Sequence, residues 1–246
     1  MQFASLPDAG IPNGVAFDRV GNLYVTDSAK GIVWRVTQNG AVERWLDDPV
    51  LRGMTPAPSP FGQVGANGLD FDQLGVLHVA VTDFGRIVRI PVTADGRAGV
   101  PSIWVEDDDL VGADGIAFDL EGNLLVAANR LDQLVRVTPT GVINVIGTSA
   151  DGLDFPSDVA FTTASAAGNV YVTNSAALTA GGSVLRPPRP ALLALSIAPE
   201  PLPYHARYSP QFRNAPGLFA SLKAAIDQAY RNRSPNRRPS PEDILR

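Results

Sequence analysis

The sequence predicts an all-β protein of the β-propeller type, and three observations predict it. One phrase recurs four times, as Asn13-Gly-Val-Ala-Phe-Asp18, Asn67-Gly-Leu-Asp-Phe-Asp72, Asp114-Gly-Ile-Ala-Phe-Asp119 and Ser157-Asp-Val-Ala-Phe-Thr162. A second phrase follows each copy within a few residues: Gly21-Asn-Leu-Tyr-Val-Thr26, Gly75-Val-Leu-His-Val-Ala80, Gly122-Asn-Leu-Leu-Val-Ala127 and Gly168-Asn-Val-Tyr-Val-Thr173. The copies start 54, 47 and 43 residues apart, a spacing of roughly 40–50 residues that suits a blade of four short strands.

Each unit reads in the same order. Val15 and Phe17 alternate with smaller residues, which is strand periodicity. Asp18 to Gly21 and Asp119 to Gly122 read as tight turns, in which the Asp bonds amides two residues on and the Gly takes a left-handed conformation. Asp72 stands at the same turn of the second unit. Leu23 and Val25 resume the alternation as a second strand. A polar break at Asp27–Gly31, Thr82–Gly85 or Asn129–Asp132 precedes a third strand, at Ile32–Val36, Ile87–Ile90 and Leu134–Val137. Turns at Gly40, Gly96 and Gly141 lead to a fourth strand, clearest at Val42–Leu46.

Four copies are visible, and Ala191–Leu195 suggests part of a fifth unit. The expectation is a six-bladed-type propeller over 1–203, N-terminally incomplete, with about four to five blades present. Residues 204–246 change character. Leu218, Phe219, Leu222, Ile226 and Tyr230 recur at helical spacing, so a helix is expected at about 216–231, followed by a disordered tail rich in Pro, Arg, Asn and Ser.

Composition narrows the function. The chain has 246 residues, 45% of them hydrophobic, and a net charge of -5. Residues 204–246 carry a net +5, leaving about -10 on the rest. An acidic body argues against a nucleic-acid ligand and is compatible with a cation site. With no cysteine, thiolate nucleophiles and thiolate metal sites are excluded. No stretch approaches the ~20 apolar residues of a membrane span, and no leader is evident at Met1.

The joined phrases resemble the senescence-marker-protein/gluconolactonase/luciferin-regenerating-enzyme family. Further matching stretches are Trp45-Leu-Asp-Asp-Pro49, Phe61-Gly62, Ala66-Asn-Gly68, Gly112-Ala-Asp-Gly-Ile116 and Arg189-Pro-Ala-Leu-Leu-Ala194, so the resemblance runs over roughly residues 6–203. It implies six blades, a divalent metal (often calcium) at one mouth of the channel, and hydrolysis of lactones or related esters there. It makes Asn67 a metal ligand, Asp114 both ligand and base, and Asn13 a residue near the substrate. The family's glutamate ligand lies in a Glu-Gly-Pro stretch that has no counterpart here. Glu43, Glu106, Glu121, Glu200 and Glu242 stand in other contexts.

The chemistry is consistent on its own terms. Calcium takes six to eight oxygen ligands from carboxylates, amides, backbone and water. Asn and Asp at the same position of adjacent blades would converge on the channel axis. Asp158 lies one blade on and one residue displaced, and is a further metal candidate. Asn-Gly and Asp-Gly are also strong turn dipeptides, so a purely local role stays open for these residues. Asp27, Asp83, Asn129 and Asn174 end second strands and could face the same mouth, or could be structural. The run Glu106–Asp109 reads as a solvated loop, and His78 as a core or surface histidine. Residues 47–66, with four prolines, are expected to form a lid beside Asn67. Ser175–Pro190 is a second irregular stretch. Two functions therefore stand: a metal-dependent lactone or ester hydrolase, and a non-catalytic propeller that binds a small molecule or protein.

Overall fold

The repeats fold as antiparallel sheets in a computed structural model that describes residues 3–57, 62–161, 169–176 and 191–196. The first sheet contains β1 (Pro12–Phe17), β2 (Leu23–Asp27), β3 (Ile32–Val36) and β4 (Val42–Asp47). The second contains β5 (Ala66–Phe71), β6 (Leu77–Val81), β7 (Arg86–Ile90) and β8 (Ser102–Glu106). The third contains β9 (Ala113–Phe118), β10 (Leu124–Ala128), β11 (Gln133–Val137) and β12 (Ile143–Gly147). The fourth contains β13 (Pro156–Phe161), β14 (Asn169–Asn174) and β15 (Ala191–Ser196). Every sheet is a meander in chain order. Each opens on the repeated phrase, and these opening strands lie side by side: β5 against β1 and β9, and β9 against β13. This is the arrangement of propeller blades.

The suggested fifth unit is corrected. Ala191–Ser196 pairs with β14 along its whole length, from Asn169↔Ser196 to Asn174↔Ala191. It is the third strand of the fourth blade, and its distance in sequence from β14 made it look like a new unit. The expected helix at about 216–231, the tail, and most of the stretch 175–190 lie outside the described residues.

The turns take the form the residue types demand. Asp18 Oδ1 accepts from the N–H of Val20 and Asn22 at 3.0 and 2.9 Å. Asp72 does the same for Leu74 and Val76, at 2.8 and 2.9 Å, and Asp119 for Glu121 and Asn123, at 2.9 and 2.8 Å. Gly21, Gly75 and Gly122 close these turns at φ of 88°, 82° and 82°, a region that disfavours residues bearing a Cβ. The run after Glu106 is a solvated turn, with Asp107 capping Asp108–Leu110 by accepting from Asp109 N–H at 2.9 Å.

Alternation along the strands buries one face against the next blade. Tyr24, Val33 and Trp45 of blade one meet Leu69, Leu77, Val79 and Val88 of blade two. Ala80 and Ile87 of blade two meet Ile116, Phe118, Leu124 and Val126 of blade three. Ala117, Leu125 and Leu134 of blade three meet Val159, Phe161, Val170 and Val172 of blade four. Tyr24 makes edge-to-face contacts with Trp45 and Phe71 at 4.9 and 5.1 Å, each worth about 0.5–1.5 kcal/mol beyond burial. Val15 on β1 is exposed, whereas its counterparts Leu69, Ile116 and Val159 are buried, and Phe17 is exposed, whereas its counterparts Phe118 and Phe161 are buried.

His78 occupies the repeat position of Tyr24 and is 2% exposed. Its ring meets Phe118 at 4.8 Å and Trp104 at 5.1 Å, edge to face. Burial pushes its pKa down to about 4; the nearby Arg89 charge adds to this, while Asp72 and the Val76 carbonyl oppose it. A lowered histidine pKa contributes stability that is complete above the unfolded value of about 6.5 and is lost as pH falls through the folded value. The shift corresponds to about 3 kcal/mol. His78→Leu, the residue type at the equivalent Leu125, is expected to flatten the acid limb of stability between pH 6.5 and 4. Urea midpoints across that window check it; an unchanged acid limb would count against a neutral buried imidazole.

Candidate functional site

The Asn-Gly and Asp-Gly pairs are not turns. They sit inside the opening strands, at a repeated irregularity of pairing. Pro12 pairs with Asp27 and Val15 with Val25, so Asn13 and Gly14 stand opposite one residue. Asn67 and Gly68 do so between Ala66↔Val81 and Leu69↔Val79, and Asp114 and Gly115 between Ala113↔Ala128 and Ile116↔Val126. In blade four the extra residue is Ser157, between Pro156↔Asn174 and Asp158↔Thr173. Such bulges re-aim side chains and recur beside functional sites.

The glycine after each candidate exists for close approach. A Cβ on Gly68 would fall 2.1 Å from the Asp114 carbonyl oxygen, and one on Gly14 2.6 Å from the Asn67 carbonyl oxygen. A Cβ on Gly115 would fall 2.2 Å from Asp158 Oδ1. Asp158 itself takes the glycine position of blade four, and its carboxylate reaches over Gly115. This is how Asp158 comes near Asp114.

A polar residue just beyond each second strand completes the arrangement. Asn13 Nδ2 donates to Ser28 Oγ at 3.1 Å, and Ser28 Oγ donates to the Ala66 carbonyl at 2.8 Å. Asn67 Nδ2 donates to Thr82 Oγ1 at 3.0 Å, and Thr82 Oγ1 donates to the Ala113 carbonyl at 2.7 Å. In blade three the polarity reverses. Asn129 Nδ2 donates to Asp114 Oδ2 at 2.9 Å. Ser28 and Thr82 went unnoticed in the sequence, although a hydrogen-bonding residue follows the second strand in each repeat.

Asp114 is the electrostatic centre of the group. Burial pushes its pKa up to about 7, and the Asp158 charge adds to the rise; hydrogen bonds from Asn129 and Asn67 pull it back. Burial raises the Asp158 carboxyl as well, against a hydrogen bond from Val159 N–H at 2.8 Å. Asn67 Oδ1 and Asn129 Oδ1 are both buried without a hydrogen-bond partner. Asn13, on exposed β1, stands apart at the corresponding place in blade one.

Of the four residues grouped with the second strands, only Asn129 reaches this cluster. Asp27 ends β2 and clamps the segment before β1, accepting from Gly10 and Ile11 N–H at 2.6 and 3.1 Å and from Lys30 N–H at 3.2 Å. Burial opposes its ionisation, but these N–H donors outweigh it and hold the carboxyl below the usual range. Asn174 ties Asp154 N–H and the Gly152 carbonyl. Asp83 lies in a 3-10 turn, two residues beyond the position of Asp27. Its Oδ2 accepts from Met54 and Val64 N–H at 2.9 and 2.8 Å, gathering both ends of the proline-containing loop, and its Oδ1 pairs with Arg130 at 2.6 Å. Asp83→Ala removes a buried carboxylate and strands its three donors, and is expected to cost about 3 kcal/mol. It should also speed amide exchange at Met54 and Val64; native-state hydrogen exchange at those two amides is the check.

Among the described residues there is no group of three or more His, Cys, Asp or Glu that could hold a metal. The groups around Asp114 are of another kind: its own carboxylate, the partnerless amide oxygen of Asn67, the Asn129 amide that turns its Nδ2 to Asp114, and the Asp158 carboxylate nearby. An all-oxygen set of this chemistry fits a hard cation such as calcium, with water and backbone oxygen supplying the remaining positions.

Fold and site together define a β-propeller with a polar cluster at the starts of its opening strands. Solved structures similar to it include the calcium-binding protein regucalcin from Agrobacterium tumefaciens, at 18% identity over 83% of this chain and 69% of that one, with a TM-score of 0.56. A gluconolactonase from Xanthomonas campestris matches at 16% identity, 79% and 61% coverage and a TM-score of 0.55. Virginiamycin B lyase from Staphylococcus aureus matches at 14% identity, 79% and 59% coverage and a TM-score of 0.51. The chain spans about three fifths of the length of the last two. At these identities the likeness is one of fold. No family model matches the chain, and no curated protein does. Among the described residues, no helix is long and apolar enough to cross a membrane.

Proposed function

We propose that the protein binds a divalent cation, calcium by preference, at Asp114 and hydrolyses a lactone or related ester beside it. The observation that carries this reading is the half-buried Asp114 carboxylate, hydrogen-bonded by Asn129 and close to Asn67, two buried asparagines whose amide oxygens lack partners. The gluconolactonase and calcium-binding neighbours are compatible with it. Asp114 and Asn67 would hold the ion, with Asp158 close enough to add charge. When bound, the cation supplies polarisation of the ester carbonyl and a more acidic water.

The chain's own residues do the rest. Asp114 accepts a proton from the attacking water as the water oxygen bonds to the carbonyl carbon. It returns that proton to the ring oxygen when the C–O bond breaks. Without the cation this carboxyl stands at about 7; beside the bound cation it would stand lower, favouring the proton-accepting carboxylate near neutral pH. Asn13 offers an exposed amide to the substrate's hydroxyl groups. The second reading, a propeller that binds a small molecule or protein without turnover, is separated by experiment. Hydrolysis of simple γ- and δ-lactones is to be followed with calcium, with chelator, and with Asp114→Ala. Turnover lost in both controls supports the hydrolase; no turnover in wild type with calcium present favours the binding module.

A further inference from the structure

We infer that Asn129 is a third protein ligand of the cation; this rests on the cation-binding part of the reading above. The argument begins with the corresponding places in blades one and two. Ser28 and Thr82 each receive one hydrogen bond from an opening-strand asparagine and pass one to the next blade's carbonyl. A hydroxyl satisfies both roles and leaves nothing over. In blade three the opening-strand residue is Asp114, which only accepts. A serine or threonine at 129 would supply the single donor it needs.

Asn129 supplies that donor and also brings a carbonyl oxygen into the interior. The residue is 6% exposed, and its Oδ1 has no hydrogen-bond partner. Leaving a buried acceptor unmet is unfavourable and rare in folded proteins. Asn67, on the other side of Asp114, is 4% exposed and repeats the pattern: its Nδ2 is engaged and its Oδ1 is unmet. Both amides turn donors toward groups that accept, so Asp114 as a bare carboxylate dictates the orientation of Asn129.

A cation on Asp114 reverses that preference. Asn129 Oδ1 lies against Gly112, where an added Cβ would fall 2.6 Å from it. A half-turn of the amide exchanges Oδ1 with Nδ2, bringing an oxygen beside Asp114 Oδ2. The backbone of this turn is already fixed: Asn129 N–H donates to the Gly112 carbonyl at 2.9 Å, and the neighbouring Arg130 is tied to Asp83. The ion then receives a carboxylate and two neutral amide oxygens, the hard-donor mixture calcium takes.

The test is calorimetric titration of the purified full chain with calcium chloride, together with thermal unfolding in calcium and in chelator. The variants are Asn129→Ser, Asn129→Asp and Asp114→Ala. Asn129→Ser keeps a donor for Asp114 and copies Ser28, so it should fold as wild type in chelator. Its calcium affinity is expected to fall on the order of 10–100-fold, the range seen when one group around a bound metal is removed. Asn129→Asp restores an oxygen and should recover binding to wild-type level or better. Wild-type affinity in Asn129→Ser, with binding lost in Asp114→Ala, would overturn the assignment of Asn129 and leave the cation site standing. Absence of calcium binding in folded wild type would overturn both.

Discussion

Asp114→Asn is expected to abolish calcium-dependent stabilisation and lactone turnover while making the cation-free protein more stable at pH 8. The two effects have one cause. A folded-state pKa of about 7 stands well above the usual carboxylate value, so the carboxyl holds its proton in the fold longer than in the unfolded chain. Its contribution to stability is therefore complete below about pH 3.9 and is lost as pH rises through 7. Above that, an ionised carboxylate sits in a half-buried place with only two amide donors. Replacing it with a neutral amide of the same shape removes a penalty on the order of 2–4 kcal/mol. Urea unfolding in chelator at pH 5 and pH 8.5, wild type against variant, measures this. The difference between the two proteins should be small at pH 5 and favour the variant at pH 8.5. His78 titrates in both proteins and cancels in that difference, whereas Asp158 contributes to it through the repulsion that the variant removes. Equal stability at pH 8.5 would mean that Asp114 is not buried as an ion. With calcium added, the order should invert, because only the wild type gains the binding free energy. A residue that destabilises the empty fold and stabilises the loaded one is expected at a functional site and has little purpose at a structural turn.

How much of this was legible depends on the range of each signal. The blades were legible because strand alternation and turn chemistry are local. Asp18, Asp72 and Asp119 do in the structure what an Asp at the head of an Asp-x-x-Gly turn must do. The boundaries of β3, Ile32–Val36, follow directly from its flanking polar break and turn. The bulges were not legible, since Asn-Gly marks a turn as readily as an irregular strand, and only pairing with β2, β6 or β10 decides between them. The grouping of Asp27 with Asp83 failed for a related reason. Counted from the second-strand glycine they differ by two residues, so one clamps the segment before its own sheet and the other the loop after β4. Ala191–Ser196 was recognisable as a strand, but its sheet is fixed by a partner some twenty residues earlier. The role of Asn129 required its environment as well as its type, because the unmet Oδ1 is a property of what surrounds it.

Gly68→Ala is expected to destabilise the protein more than Gly75→Ala, although backbone conformation alone predicts the reverse. Gly75 has φ of 82° and nothing within 4 Å of an added Cβ. Alanine there bears only the left-handed penalty, about 1–2 kcal/mol. Gly68 has no such φ, and in an open strand alanine would be favoured through the unfolded state by about 0.4–1 kcal/mol. Its surroundings decide otherwise. An added Cβ would meet the Asp114 carbonyl oxygen at 2.1 Å, Gly115 Cα at 2.8 Å and the Ile116 nitrogen at 2.9 Å. All three are backbone atoms of β9, so no side chain can swing aside, and the two strands must separate. Overpacking of this kind costs about 3 kcal/mol or more, which for a domain of this size is a fall in Tm of about 6–12 °C against about 2–8 °C for Gly75→Ala. Because β9 carries Asp114, its displacement should also weaken calcium binding, whereas Gly75→Ala should leave it unchanged. Thermal unfolding and calcium titration of the two variants side by side test both halves. A Gly68→Ala protein as stable as wild type would mean that β5 and β9 do not approach as closely as the site requires, and the convergence of Asn67 and Asp114 would fall with it.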